Sequence, residues 1–327
     1  MSQSNESITA FAPATVSNVA CGFDVLGFAL HAPGDAVTAA LAPGTGVRID
    51  EIVGDNGRLT RDASKNTAGI AAQALLDAVG ERRGVVLTIR KGLPLSSGLG
   101  GSAASAVAAA FAVNELVGAR LSHETLMTCA FEGERVGAGS AHGDNIAPAV
   151  YGGFVLVRVA NPPDVVRLPV PAGLTAVVVH PDLEIETARA RALLGTHVPL
   201  GDAIRQWANL GAFVDALHRS DFDLLSRALE DTIAEPRRAP LVPGLAAIKQ
   251  AAVGAGALGC SLSGSGPSLF ALCRTAVSAE LVARAMAAAV AQHIGGAAPK
   301  TYVSPIAPQG ARIVAAPADP KGPALHV

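Results

Sequence analysis

Gly98, Gly100 and Gly101 stand directly before a run, Ser102 to Leu116, that is rich in alanine and free of Gly and Pro. Glycines let a backbone approach a ligand closely, and a helix start offers unpaired N–H groups at the positive end of its dipole, so PLSSGLGGSAAS can cradle a phosphate. A glycine turn capped by Ser102 would satisfy the same residues without a ligand. A Walker A loop is excluded, because no Lys-Ser/Thr follows the last glycine. A dinucleotide site fits badly. Gly98, Gly100 and Ala103 match G-x-G-x-x-A, but Pro94 to Ser97 intervenes before the first glycine, and Glu115, the acid at the right distance, lies inside the same helical run. His123-Glu124 opens like a zinc motif, yet Met127 takes the place of the second histidine. Cys21, Cys129, Cys260 and Cys273 lie far apart with no C-x-x-C pair, which fits reduced packing thiols.

PLSSGLGGSAAS resembles the ATP-phosphate loop P-x-x-x-G-L-G-S-S-A-A of the galactokinase, homoserine kinase, mevalonate kinase and phosphomevalonate kinase (GHMP) superfamily. Gly101 replaces the first of the paired serines, and Ser102 keeps the magnesium-binding one. Two further motifs follow in the family's order. FAPATVSNVACGFDVLGFAL resembles the substrate motif P-A-T-x-x-N-x-G-P-G-F-D, with Asn18 and Asp24 in the diagnostic places and Ala20-Cys21 where Gly-Pro is usual. GCSLSGSGPSLFAL, Gly259 to Leu272, resembles the glycine-rich third motif that closes over the phosphates. The resemblance implies ATP contacts at Pro94, Ser97, Gly98, Leu99, Gly100, Gly101, Ser102, Ala103, Ser105, Gly264, Ser265 and Gly266, and Mg2+ on Ser102 and Glu134. Asn66 matches a nucleotide-contacting position, and a helix N-cap explains it equally well. Lys91 could reach a phosphate or simply end a strand, and Glu132 reads as a surface carboxylate.

The fold cannot choose among acceptor alcohols, so the second-site residues must. SAHGDNIAP, Ser140 to Pro148, resembles the homoserine-kinase segment S-x-H-x-D-N-V-A-P, with His142, Asp144 and Asn145 in register. Thr187, Arg191 and Arg238 occupy the positions implied for substrate binding. Guanidinium forks suit a carboxylate, so the two arginines would take the α-carboxylate of L-homoserine, while Asn18 and Asp24 take its ammonium and hydroxyl end. Taken singly, Arg191 reads as a solvent-facing helix residue, Arg238 beside Arg237 as wet basic surface, and His142 as a loop histidine. The implied activity is ATP-dependent phosphorylation of homoserine, a step of threonine biosynthesis, with Asp24 and Asn145 as the catalytic candidates acting by positioning.

These residues need a scaffold, and the composition permits a large one. Of 327 residues, 50% are hydrophobic and 16% charged, which allows a two-domain core. A net charge of -2 leaves no basic field for nucleic acid or anionic lipid. MSQSNESITAFAP has neither a basic nor an apolar leader region, and no window reaches the roughly 20 apolar residues of a membrane span, so a soluble cytoplasmic protein is expected. Segments ITAFAP, AVTAAL, GVRID, GVVLTIRKG, TAVVVHP, SLFALC and KTYVSP read as strands, and the runs at NTAGIAAQALLDAVG, SAASAVAAAFAVNEL, SHETLMTCAFEGERV, DAIRQWANLGAFVDALHR and AELVARAMAAAVAQHI as helices. NPPDVVRLPVP suggests a division into residues 1–162 and 163–313, with 314–327 as a Pro-rich tail. The resemblance implies an α+β fold in two parts: an N-terminal domain with a left-handed β-α-β crossover and a ferredoxin-like C-terminal domain, with a homodimer as the common assembly.

Overall fold

The computed structural model describes residues 7–137 and 143–316. Chain order is β1 (Ser7–Ser17), β2 (Leu26–Ala42), β3 (Val47–Val53), α1 (Thr67–Val79), β4 (Gly84–Arg90), α2 (Gly101–Val117), α3 (His123–Gly137), α4 (Gly143–Tyr151), β5 (Phe154–Val159) and β6 (Asp164–Leu168). There follow β7 (Thr175–His180), α5 (Thr187–Ala192), α6 (Leu200–Arg219), α7 (Phe222–Ala228), α8 (Ala234–Arg238), α9 (Leu245–Gly254), β8 (Gly259–Leu262), β9 (Leu269–Cys273), α10 (Ala276–His293), β10 (Lys300–Pro305) and β11 (Arg312–Val314).

The first sheet runs β11-β1-β2-β4-β3, and the long β2 also pairs β5 through Leu26–Phe28, with β6 outside β5. β3, α1 and β4 form a parallel β-α-β unit. The proline-rich stretch holds the turn of the β5–β6 hairpin and β6 itself, so the expected division at 162/163 falls between two strands of one sheet, and the second sheet starts at Thr175. The chain returns at its end, where β11 pairs β1 and Val314 still belongs to a strand. Residues 317–327, most of the expected tail, lie outside the described residues.

The second sheet has the order β10-β7-β9-β8 and is antiparallel throughout, the β-α-β-β-α-β arrangement of a ferredoxin-like domain. Its alternation divides its side chains between two cores. Ala176, Val178, Phe270 and Leu272 face the first half, whereas Val177, Val179, Leu269 and Ala271 face α9 and α10. Phe28 joins the halves, with ring centroids 5.0 Å from Phe154 and 5.8 Å from Phe270.

α2 is the buried axis of the first half. Alanine has the best helix propensity and adds little bulk, so α1, α3, β1 and β2 all pack closely on it. Gly118 ends it in the left-handed conformation, φ 68°. Its start is Gly100, φ 65°, with no side-chain cap, which leaves the first N–H groups of the helix to whatever lies in front of them.

Candidate active site

What lies in front is a cleft of about 410 Å³ between the two halves. The glycine loop forms one wall. Ser96, Gly98 and Gly100 have φ of 54°, 76° and 65°, a winding that glycine tolerates and that turns the backbone toward the cleft. A Cβ on Gly98 would lie 2.4 Å from the Ser263 carbonyl oxygen, and one on Gly100 would lie 2.1 Å from the Thr15 hydroxyl. Thr15 donates its N–H to the Leu99 carbonyl at 3.1 Å, and Ser263 donates its hydroxyl to the Gly98 carbonyl at 2.6 Å. The loop is therefore clamped by the first and third motifs. Pro94, Ser97, Gly98, Gly100, Gly101, Ser102 and Ser105 line the cleft, as do Gly264 and Ser265 across it. Leu99 and Ala103 are fully buried behind the wall, and Gly266 supports it through its backbone, its N–H on the Ser263 carbonyl at 2.9 Å.

Beneath the loop sits a charged support that sequence reading did not find. The Lys91 ammonium is buried and donates to the Asp35 carboxylate, to the Gly101 carbonyl at 2.7 Å and to the Ser105 hydroxyl at 2.8 Å. Asp35 also accepts from Ser105 at 2.7 Å and from Gly92 N–H at 2.9 Å. Lys91 is thus no ordinary strand-end charge. Only the isolation of one lysine between GVVLTIR and the glycine loop signalled it, and nothing local connected it with Asp35, 56 residues away.

The substrate motif folds as a strained turn. Asn18, Val19 and Ala20 all have positive φ, 69°, 43° and 57°, and Asp24 has φ 61°. Such conformations cost of order 1–3 kcal/mol each and persist only when held from outside. Asn18 does the holding: its N–H binds Asp144 at 3.2 Å, its side-chain amide reaches the Gly264 carbonyl at 3.0 Å, and its amide oxygen accepts the Asp24 N–H at 3.1 Å. Asp24 forms an ion pair with Arg191. Arg238, 4% exposed, binds the Gly264 carbonyl at 2.9 Å, so it is no wet basic surface. Burial pulls its pKa below the ordinary value. Thr187 meets Ser265, oxygen to oxygen, at 3.4 Å.

Two buried carboxyls complete the cleft. Burial raises Asp144 to about 7, with the Asp24 charge adding to the effect, and Oδ1 of Asp144 has no hydrogen-bond partner among the described residues. Burial likewise raises Glu134 to about 7 against the favourable Ser102 hydrogen bond and Lys91 charge, and its Oε1 has no partner among the described residues. Ser102 is exposed and does not cap α2, so the capped-turn reading of that serine does not hold. Asn145 accepts from the Thr15 hydroxyl at 2.9 Å and donates to Ser17 at 3.1 Å, between the first motif and the loop. Asn66 caps α1, accepting the Ala68 N–H at 3.0 Å and donating to the Thr60 carbonyl at 2.9 Å, and it also lines the cleft. Glu132 pairs with Arg135 on the surface. His142 lies outside the described residues. The four cysteines are buried and free.

A glycine-lined helix start facing buried carboxyls and two guanidiniums, on this pair of sheets, defines a small-molecule kinase of the GHMP class. Residues 66–153 match the description "GHMP kinases N terminal domain" and residues 213–292 match "GHMP kinases C terminal". Homoserine kinase of Chlorobaculum tepidum is 47% identical over 319 residues, covering 94% of this chain and 98% of that protein. That of Chlorobium phaeovibrioides is 46% identical over 319 residues, covering 94% and 100%. The crystal structure of homoserine kinase from Cytophaga hutchinsonii superposes with a TM-score of 0.91 at 47% identity, covering 96% of this chain and 99% of that one. The chain belongs to the homoserine kinase family.

Proposed function

We propose that the protein transfers the terminal phosphoryl group of ATP to the side-chain hydroxyl of L-homoserine, giving O-phospho-L-homoserine for threonine biosynthesis. The observation that carries this is the sharing of one cleft by the uncapped start of α2 and the two arginines, with Asp24 set against Arg191. An amino acid brings a carboxylate and an ammonium. Arg191 and Asp24 already offer the complementary pair and neutralise each other without a ligand. Arg238 adds a second fork for the carboxylate. A neutral sugar gives these charges no partners, and a hydroxy acid such as mevalonate or shikimate supplies a carboxylate but no ammonium for Asp24.

N–H groups of residues 98–102 would receive the phosphates, each well-placed donor contributing up to about 3–4 kcal/mol to the transition state. Asn66, which lines the cleft with Leu59 and Thr60, would take the nucleoside end of ATP. Asp24 and Asn145 orient the acceptor hydroxyl, and His142 belongs to the same acceptor segment. Asp144, beside Asn18 and raised to about 7, is chemically able to accept a proton from that hydroxyl.

The residues present fit Mg2+. Glu134 Oε1 is a buried oxygen without a hydrogen-bond partner among the described residues, and Ser102 lines the same cleft. Mg2+ takes one or two protein oxygens and leaves the rest of its shell to phosphate and water. No cluster of three or more His, Cys, Asp or Glu suited to a metal occurs among the described residues, in keeping with such sparse ligation. When bound, the cation neutralises charge developing on the transferred group.

No helix among the described residues is long and apolar enough to cross a membrane. Four free, buried thiols support a cytoplasmic location. A homodimer is part of the proposal and is checked by light scattering. The functional test is coupled ADP release with homoserine, shikimate, galactose and mevalonate as acceptors. Homoserine alone should turn over at appreciable rate. Preference for a sugar or isoprenoid alcohol, or no transfer at all, contradicts the reading.

A further inference from the structure

Phe23 meets both arginines in a way that no reading of the motif requires. The guanidinium carbon of Arg191 lies 5.3 Å from its ring centroid, and that of Arg238 lies 5.4 Å from it. We propose that Phe23 is the positioning residue that fixes the spacing of the two guanidiniums and so shapes the carboxylate-binding fork. The inference rests on the homoserine reading of the cleft.

Two like charges at the same end of a cleft repel, and each lowers the affinity of the other for its proton; Arg191 acts on Arg238 in this sense. An aromatic ring attracts both, so one ring shared by the two offsets the repulsion and holds each at a set distance from it. The two arginines need this unequally. Arg238 is buried and tied to the Gly264 and Ala190 carbonyls at 2.9 and 3.4 Å. The Arg191 side chain is 49% exposed and pairs with Asp24, the residue after Phe23. Ring and carboxylate thus approach Arg191 from adjacent positions of one turn, and the Asn18 amide oxygen fixes that turn by accepting the Asp24 N–H. Phe23 is half-buried and belongs to neither hydrophobic core cluster, so filling a core is not its role.

A ring that merely touched the methylenes of the acceptor would be replaced well by Leu or Met. A ring that spaces cations would be replaced only by another aromatic. Phe23→Leu and Phe23→Met should therefore each raise the homoserine KM about tenfold, the loss of two cation–π contacts, with the ATP KM within about twofold of wild type. Phe23→Tyr should restore the homoserine KM to within about twofold. In an Arg238→Ala background, Phe23→Leu should add less than about threefold, because the fork is already broken. Leu or Met variants with unchanged homoserine KM, an equal rise in ATP KM, or independent multiplication of the two substitutions each overturn the inference. A wild-type enzyme inactive on homoserine overturns the functional reading and this inference together. Wild-type activity with an indifferent Phe23→Leu overturns this inference alone.

Discussion

Glu134 and Asp144 are carboxyls that the folded chain holds at a cost, and the cost has a pH signature. Both are raised to about 7, from reference values of 4.5 and 3.8. Between those references and pH 7 the folded state binds more protons than the unfolded chain, so stability falls as pH rises through that window. Urea unfolding should show the ligand-free protein more stable at pH 5.5 than at pH 8. Glu134→Gln should flatten the slope and raise the pH 8 stability by about 2–3 kcal/mol, while lowering kcat at least about a hundredfold. A slope unchanged by this substitution would place the titration elsewhere. On the acceptor side, Arg238→Ala should raise the homoserine KM by about a hundredfold and the ATP KM far less, read by steady-state kinetics. Equal effects on both would remove Arg238 from the acceptor site. Asn18 and Asp24 were read from the first motif, Arg191 from its offset to Thr187 and Arg238 from its offset to Pro236, and the fold brings all four to one cleft. Asp144 was legible as a matched position of the S-x-H-x-D-N segment but not as a raised, buried acid, because burial is a tertiary property.

At the scale of elements, the phosphate wall depends on one unusual helix start. Gly100→Ala forces a side chain into a left-handed backbone at about 1–2 kcal/mol and drives its Cβ against Thr15. Loss of ATP-dependent turnover by about a hundredfold or more is the expected kinetic result, with the far-UV circular dichroism of the α2-containing fold retained. Lys91→Met should act differently, leaving the buried Asp35 carboxylate without its cation and destabilising the protein by about 3–5 kcal/mol in urea titration. The alanine run made α2 legible within one residue at each end, since its pattern is local. α4 was not read as a helix, because Pro148 lies inside it, and α8 is only five residues long and starts where Asp231 accepts the N–H groups of Ile233, Ala234 and Glu235. Such short helices are built by caps and neighbours, which periodicity does not record.

On the scale of the whole molecule, the two halves share a core. Phe28 touches Phe154 of the first sheet and Phe270 of the second, and the first core cluster includes residues from both sheets and from α6 and α7. Phe28→Ala should cost about 3–5 kcal/mol and keep a single cooperative transition; separate melting of the two halves would show that they do not share a core. The α+β character and the order of the major strands were legible from alternation and glycine punctuation. The Pro-rich stretch read as a boundary holds a hairpin turn, because Pro and Gly mark turns within a sheet as readily as gaps between sheets. The shared core is what lets a glycine loop in one half and arginines in the other define a single cleft. The most direct measurement of that joint action is 31P NMR of a reaction containing the protein, ATP, Mg2+ and L-homoserine. A new phosphomonoester resonance, stoichiometric with ADP and absent when homoserine is omitted, is the predicted result. ADP accompanied only by inorganic phosphate, or no consumption of ATP, would contradict the account.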